Sequence, residues 1–389
     1  MGELKAIEGR GTRGEGRGKA RAEVGGVAFE GNLEALYRAN LWLRTVSRVL
    51  VRLGQFHAST FYELERRAKK LPWPDFLPQS GDVVVRATCR KSRLYHSDAV
   101  AERVLSAIAR VAPPGVKVQS SAGAEEKEDD DESGKPAQLF VVRIVDDQVE
   151  ISADSSGELL HRRGYRKQVA KAPLRETLAA AMVLASGWRK NEILVDPLCG
   201  SGTIPIEAAL IGRNSAPGLG RDFQFMTWPG FDSTLWGQLL DRARQAVTSP
   251  AVSIIGSDRD AGAIEAATKN AERAGVGADI QFSVDSMSAS LSRLPLLSAD
   301  GGWILSNPPY GVRVGSQTDL RDLYSAVGNA LMKSPGWRVG FLTADPTLGG
   351  QLRVPLRSRF DSRNGGIPVS FLVSETAKKL VGQHSERGV

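Results

Sequence analysis

The spacing of apolar residues divides the chain into two halves of different character. In the first half, residues 27–31 read as a short strand and turn. Asn32 stands where a helix N-cap belongs, ahead of Leu33, Leu36 and Tyr37 on one face. Residues 43–53 mix apolar positions with Arg44, Arg48 and Arg52, whose four-residue spacing predicts a basic stripe on a helix or one shared face on a strand. An amphipathic helix is predicted over 60–70, with Phe61, Leu64 and Ala68 inward and cations near its end, and Pro72, Pro74 and Pro78 stop it. A strand at 83–89 leads into a basic loop at 90–96. A helix at 97–111, capped by Ser97, follows, and strands at 139–145 and 148–153 are joined by an Asp146-Asp147 turn. Helix, strand, helix and hairpin in this order predict an α+β module.

The second half alternates strand and helix. A helix at 173–188 precedes a strand at 192–196, which runs directly into a Gly-rich turn and a helix at 204–211. Strands at 253–258, 280–285 and 303–305 follow, with a helix at 261–274 between the first two. Then come a helix at 320–332 and strands at 338–343 and 370–373. This alternation predicts a doubly wound α/β sheet, in which ligands bind beyond the carboxyl ends of the strands. Residues 213–250 interrupt it, and Trp228-Pro229-Gly230-Phe231 with Trp236 predict a packed excursion there.

Composition narrows the classes. The 389 residues allow two or three domains; 41% hydrophobic and 24% charged residues are ordinary for a globular protein, and no apolar run is long enough to cross a membrane. The formal charge of +7 points to a polyanionic partner. The 2 cysteines and 4 scattered histidines lack ligand spacing, so neither a metal site nor a disulfide framework is expected. The Gly/Arg-rich start has no apolar core of a secretory signal. Its Glu3, Glu8, Glu15 and Glu23 argue against an organellar leader, so the expected compartment is the cytoplasm, with an organelle such as a plastid as the alternative. Residues 125–132 are almost wholly acidic and predict a disordered surface loop pointing away from any nucleic acid.

Candidate chemistry concentrates at the strand ends. Asp196-Pro197-Leu198-Cys199-Gly200-Ser201-Gly202-Thr203 has glycines that let a ligand approach the backbone and a helix start that offers N–H groups. It lacks the lysine of a phosphate-binding loop and the third glycine of the dinucleotide fingerprint. A carboxylate at Asp196 would repel a pyrophosphate and attract the cationic end of S-adenosylmethionine (SAM). Asp258, ending the next strand, suits the two ribose hydroxyls, and Asp285, ending the third, suits the adenine amino group. On the fourth strand Pro308 and Pro309 cannot donate ladder hydrogen bonds, so the chain leaves the sheet at Asn307. The Asn307 side-chain oxygen and the Pro308 carbonyl are then free acceptors beside the ring of Tyr310, a setting for a planar group that carries an amine. Cys199, in the cofactor loop, is a small loop residue rather than a nucleophile. Two basic stretches with embedded aromatics, Lys91, Arg93, Tyr95 and His96 in the first half and Arg163, Tyr165 and Arg166 between the halves, are the expected RNA contacts.

Taken together, Asp196 to Thr203, Asp258, Asp285 and Asn307-Pro308-Pro309-Tyr310 resemble the class I amino-methyltransferases. Phe29-Glu30-Gly31 through Leu43-Arg44, Lys91-Ser92-Arg93-Leu94-Tyr95-His96, Arg163-Gly164-Tyr165-Arg166 and Ala172-Pro173-Leu174 resemble, more narrowly, the THUMP-containing bacterial enzymes that methylate guanine N2 in large-subunit ribosomal RNA. The resemblance runs from about residue 26 to 376. It implies an α/β fold with an N-terminal α+β ferredoxin-like and THUMP RNA-binding region and a C-terminal methyltransferase on a Rossmann-like seven-stranded sheet, with SAM as cofactor and RNA as partner. The expected divisions are a flexible start at 1–25, a partial ferredoxin-like region at 26–80, and a THUMP domain at 81–155 with the acidic insert at 120–136. A linker at 156–172, a methyltransferase domain at 173–377 and a flexible tail at 378–389 complete them. The family normally has a strand and helix before the segment that starts here, and its pattern contains no acidic insert. The second methyltransferase domain fused to some relatives is not seen, so a single modification is expected. Guanine is chosen over adenine by this resemblance alone. An adenine-N6 enzyme, a tRNA enzyme, a glutamine-N5 enzyme acting on protein and a non-catalytic RNA-binding assembly factor are the alternatives.

Overall fold

The computed structural model describes residues 20–120, 137–167, 174–249, 253–309 and 317–375. The first nineteen residues, almost all of the acidic insert, Tyr310 and the tail lie outside the described residues. The chain divides into two compact units, Met1–Arg162 with Pro217–Arg244, and Arg163–Ala216 with Gln245–Val389.

The first unit opens with a hairpin of β1 (Arg21–Glu23) and β2 (Gly26–Ala28). Its main sheet uses β3 (Leu50–His57), β4 (Ser80–Arg90), β5 (Gly115–Ser120), β6 (Gln138–Val145) and β7 (Gln148–Asp154), in the order β3-β7-β6-β4-β5. Asp146 and Asp147 both take positive φ, 51° and 59°, which turns β6 into β7 as the two-residue hairpin requires. Helices Leu33–Trp42, Phe61–Ala68 and Ser97–Ala109 accompany the sheet. Asn32 caps the first through Ala35 N–H at 3.0 Å, as the sequence predicts, and Thr60 caps the second. The third differs: Ser97 is its first residue, His96 holds the cap position, and no side chain caps it.

The packed excursion belongs to this unit. Tyr37 stacks on Phe225 at 4.5 Å and meets Trp236 edge-on, while its hydroxyl accepts the Asp232 N–H at 2.8 Å. A buried phenol needs such a partner, and the ring supplies the apolar area that draws Pro217–Arg244 into the first unit. The predicted basic stripe is not free. Arg44 is buried, Arg48 pairs with the buried Asp154, and Arg52 lies between Glu23 and Glu150. Burial of a guanidinium is tolerated when a carboxylate or carbonyl accompanies it, which is why a spacing that looks like a surface stripe is structural here.

The second unit is a seven-stranded sheet among the described residues. Its strands are β8 (Leu194–Asp196), β9 (Ile254–Asp258), β10 (Ile280–Val284), β11 (Trp303–Ser306), β12 (Arg338–Thr343), β13 (Leu356–Asn364) and β14 (Ile367–Ser374). The order is β10-β9-β8-β11-β12-β14-β13, parallel throughout except that β14 is antiparallel to both neighbours. Alternate residues feed two cores. Leu194, Ile254, Trp303 and Phe371 face one, and Val195, Ile255, Ile304 and Phe341 face the other, as expected of strands covered on both faces. The order reverses between β8 and β11, so a crevice opens at the carboxyl ends of these two strands. β13 is absent from the predicted elements, because its LRSRFDSRN has too few apolar positions to show a strand period.

Candidate active site

Parallel register brings the strand-ending acids to one edge. Asp196 pairs with Gly256 across β8 and β9, and Asp258 pairs with Val284 across β9 and β10. Between Asp196 and Asp258 the chain makes the glycine turn. Gly200 and Gly202 take φ of 51° and 83°, the left-handed region that favours glycine. Gly200 N–H donates to Asp258 Oδ2 at 3.0 Å, the Ser201 carbonyl accepts from Asn270 Nδ2 at 3.1 Å, and Cys199 N–H donates to the Ser257 carbonyl at 2.9 Å. The loop is thus held from three sides. A side chain at Gly200 would point into open space, whereas one at Gly202 would meet Ala267 at 3.0 Å and Phe282 at 3.2 Å. Gly202→Ala is therefore expected to cost about 1–3 kcal/mol in chemical denaturation through the strained φ, with a further loss of cofactor affinity in calorimetry.

Asp196 is 1% exposed, and burial lifts its carboxyl to about 7. The Ser306 hydroxyl, donating at 2.7 Å, and the Leu198 N–H, at 3.2 Å, hold the pKa down only partly, and the Asp258 charge pushes it up. A carboxylate buried beside another acid is in want of a cation. Burial, and then the same two acids, push the Cys199 thiol well above its usual range, so it stays neutral and unreactive. Asp285 sits at the end of β10, where Ser283 and then Arg293 hold its carboxyl below the usual carboxylate range. Its partner Arg293, at 2.6 Å, carries no signal in the sequence.

β11 ends at the edge of the same crevice. Ser306 is fully buried and its hydroxyl is spent on Asp196. The next side chain, Asn307, has its oxygen Oδ1 buried with no hydrogen-bond partner among the described residues. Buried acceptors are nearly always satisfied, so this amide oxygen has capacity for a donor that the described residues do not supply. Pro308 is buried and Pro309 exposed, and the expected stacking residue Tyr310 lies outside the described residues.

The two basic stretches differ. Lys91, Arg93, Tyr95 and His96 are exposed, with the Tyr95 and His96 rings 4.0 Å apart and the loop pinned by Arg93 N–H donating to Asp147 at 2.7 Å. Arg163, Tyr165 and Arg166 do not face solvent. Arg163 lies 3.5 Å from the fully buried Glu207, Tyr165 donates to Glu207 at 3.1 Å, and Arg166 pairs with the buried Glu176 at 2.7 Å. Burial outweighs that pair and raises Glu176 to about 7. The expectation that these three contact RNA is therefore corrected: two buried acids on neighbouring helices consume them. Nothing in the local sequence separates the two roles, because Glu207 and Glu176 lie far from an ordinary ion-pair spacing.

With this geometry in place, the comparisons with known proteins are decisive at the family level. The model described as RMKL-like, methyltransferase domain matches residues 163–367. The chain belongs to the RMKL-like methyltransferase family. A RlmL ferredoxin-like domain matches residues 13–50 and a THUMP domain residues 58–121. The first match reaches into the start that was expected to be flexible, and β1 lies within it. Among relatives, Ribosomal RNA large subunit methyltransferase K/L of Syntrophotalea carbinolica is 35% identical over 91% of this chain and 50% of its own length. The chain thus spans about half the length of that relative. YpsC of Bacillus subtilis, provisionally named as an RNA methyltransferase, is 37% identical over 84% of this chain and 82% of its own. The solved structure of SMU.472, a provisionally assigned methyltransferase complexed with SAH, superposes with a TM-score of 0.78 at 28% identity, covering 96% of this chain and 93% of the other.

Proposed function

We propose that this chain transfers a methyl group from SAM to the exocyclic N2 of a guanine in large-subunit ribosomal RNA. The observation that carries the reading is the buried Oδ1 of Asn307, unpartnered among the described residues, next in sequence to the Ser306 that bonds Asp196. The residues fit the cofactor. Asp196 would answer the cationic end, Gly200 and Gly202 allow close approach, and Asp258 and Asp285, at the ends of the next two strands, would take the ribose hydroxyls and the adenine amine. Pro197, Cys199, Ser201 and Thr203 shape the loop between these contacts. SAM, when bound, supplies an electrophilic methyl carbon on a sulfonium whose sulfur keeps the bonding pair as the carbon passes to nitrogen.

The protein's own contribution is positioning and electrostatics. Asn307 Oδ1 and the Pro308 carbonyl accept the two hydrogens of the amine and turn its lone pair toward the methyl carbon. As nitrogen gains positive charge these two hydrogen bonds strengthen, which favours the transition state over the bound substrate, and the methylated nitrogen then releases one of its protons to water. Pro309 and Tyr310 are assigned to hold and stack the extruded base. Lys91, Arg93, Tyr95 and His96, exposed on the THUMP-matching part, are assigned to RNA backbone and stacking contacts. Support for RNA comes from the THUMP match and from the names of the two relatives.

Transfer of label from radioactive SAM to purified ribosomal RNA, transfer RNA and ribosomal protein tests this reading. Label in large-subunit RNA is the expected outcome. Label only in transfer RNA or only in protein would replace the substrate, and SAM binding without transfer to any of them would favour an assembly factor.

A further inference from the structure

We propose that the edge strand β13 is a track for RNA backbone that leads to the catalytic edge of the sheet, an inference that rests on the RNA-methyltransferase reading above. β13 runs in the same direction as β12, because both are antiparallel to β14. The β12–β14 pairing ends at Thr343 with Ser370, yet β14 begins at Ile367 and β13 continues to Asn364. The hairpin therefore projects past the carboxyl end of β12, on the edge that carries Asp196 and Asn307. Three strand spacings separate β13 from β11, about 14 Å, which is within reach of the nucleotides that flank an extruded base.

The strand is anchored by little. Phe360 turns inward and stacks on Phe371 at 5.2 Å, and Asp361 accepts from Ser370 at 2.6 Å. Arg357, Arg359 and Arg363 are exposed. Arg359 is the extra residue of a bulge between Ser358 and Phe360, which takes it out of the strand alternation. Arg363 donates to the Gly366 carbonyl at 3.0 Å with one of its N–H groups and keeps the others. No ion pair holds these three arginines among the described residues. Arg357 lies opposite Val373 and Arg363 opposite Pro368, so these two leave the strand on opposite faces; with the bulged Arg359 between them they line the open edge over about 20 Å, the length of a short run of phosphates. Cations on an edge strand also discourage edge-to-edge pairing between copies. That role needs charge anywhere on the edge, whereas a row of arginines that ends at the catalytic edge fits a bound polyanion.

The test compares the full chain with the triple variant Arg357→Gln, Arg359→Gln, Arg363→Gln and with the matching triple Lys variant. Binding of a fluorescein-labelled oligouridine is followed over a KCl series, with SAM affinity as the control for folding. The Gln variant is expected to bind RNA about tenfold or more weakly and to lose about 2 from the slope of log Kd against log salt, while the Lys variant keeps most of both. An unchanged RNA affinity and slope in the Gln variant would overturn the proposal. So would self-association of that variant with normal RNA binding by its monomer, which would assign the row to edge protection. Unchanged RNA binding with lost binding of polyglutamate would assign it to an acidic protein and overturn it equally. Methyl transfer to ribosomal RNA is measured on the wild type alongside. Its absence refutes the methyltransferase reading, whereas transfer by the wild type and an unaltered Gln variant refutes the track alone.

Discussion

Asn307→Ala is expected to lower kcat for RNA methylation by about a hundred- to a thousand-fold while leaving the SAM Kd unchanged. The size follows from what the amide oxygen does. It has no partner among the described residues, so under the proposed role its hydrogen-bonding capacity is open to the incoming amine. Because that hydrogen bond strengthens as the nitrogen becomes positive, its loss falls on kcat more than on KM. The same orphan oxygen costs the folded state a desolvation penalty that no protein bond offsets. Removing it is therefore expected to leave the denaturation midpoint unchanged or slightly raised. Steady-state kinetics with a denaturant curve on the same variant separate the two. A loss confined to KM, or a large drop in stability, would mean that Asn307 supports the loop rather than the reaction.

The second large effect concerns Asp196. Its carboxyl is lifted to about 7 by burial, so near neutral pH it exists in both forms. A cationic ligand binds the ionised form, which makes the sign of the pH dependence definite. SAM affinity should be high above pH 7 and should weaken as pH falls through 7, approaching tenfold per unit, and binding should release a proton in that range. Asp196→Asn should weaken SAM by about a hundredfold and abolish the dependence, since the charge and the titration are removed together. Stability runs the other way. In the unliganded protein the native state holds the proton more tightly than the unfolded chain, whose carboxyl titrates near 3.8. Asp196 therefore destabilises the native state increasingly from about pH 4 to about pH 7, and Asp196→Asn should flatten the denaturation midpoint over that window. Calorimetry in buffers of different ionisation enthalpy counts the released proton. A SAM affinity flat from pH 6 to pH 8 would contradict the assignment of Asp196.

Much of this site was legible in the chain because its chemistry lies on strand ends. An acid or amide directly after a short apolar run stands at the carboxyl edge of a parallel sheet whatever the rest of the fold does. Asp196, Asp258 and Asn307 are all of that kind. What was not legible needed partners from distant parts of the chain. Ser306 looks like one more strand residue until its hydroxyl is seen on Asp196. Arg163, Tyr165 and Arg166 look like a solvated basic linker, and only the buried Glu207 and Glu176 show otherwise. Arg293, which takes the Asp285 carboxylate, has no pattern around it at all. β13 escaped because edge strands need little apolar patterning to form, being held by the ladder to β14 on one side only. The aromatic excursion was recognised as packed, but its allegiance to the first unit depends on Tyr37, nearly two hundred residues away in sequence.

The most direct test of the central claim is nucleoside analysis by mass spectrometry, after incubating the purified chain with SAM and large-subunit ribosomal RNA that lacks its modifications. N2-methylguanosine is expected with the wild type and none with Asn307→Ala. N6-methyladenosine in its place, or equal product from the two proteins, would contradict the claim.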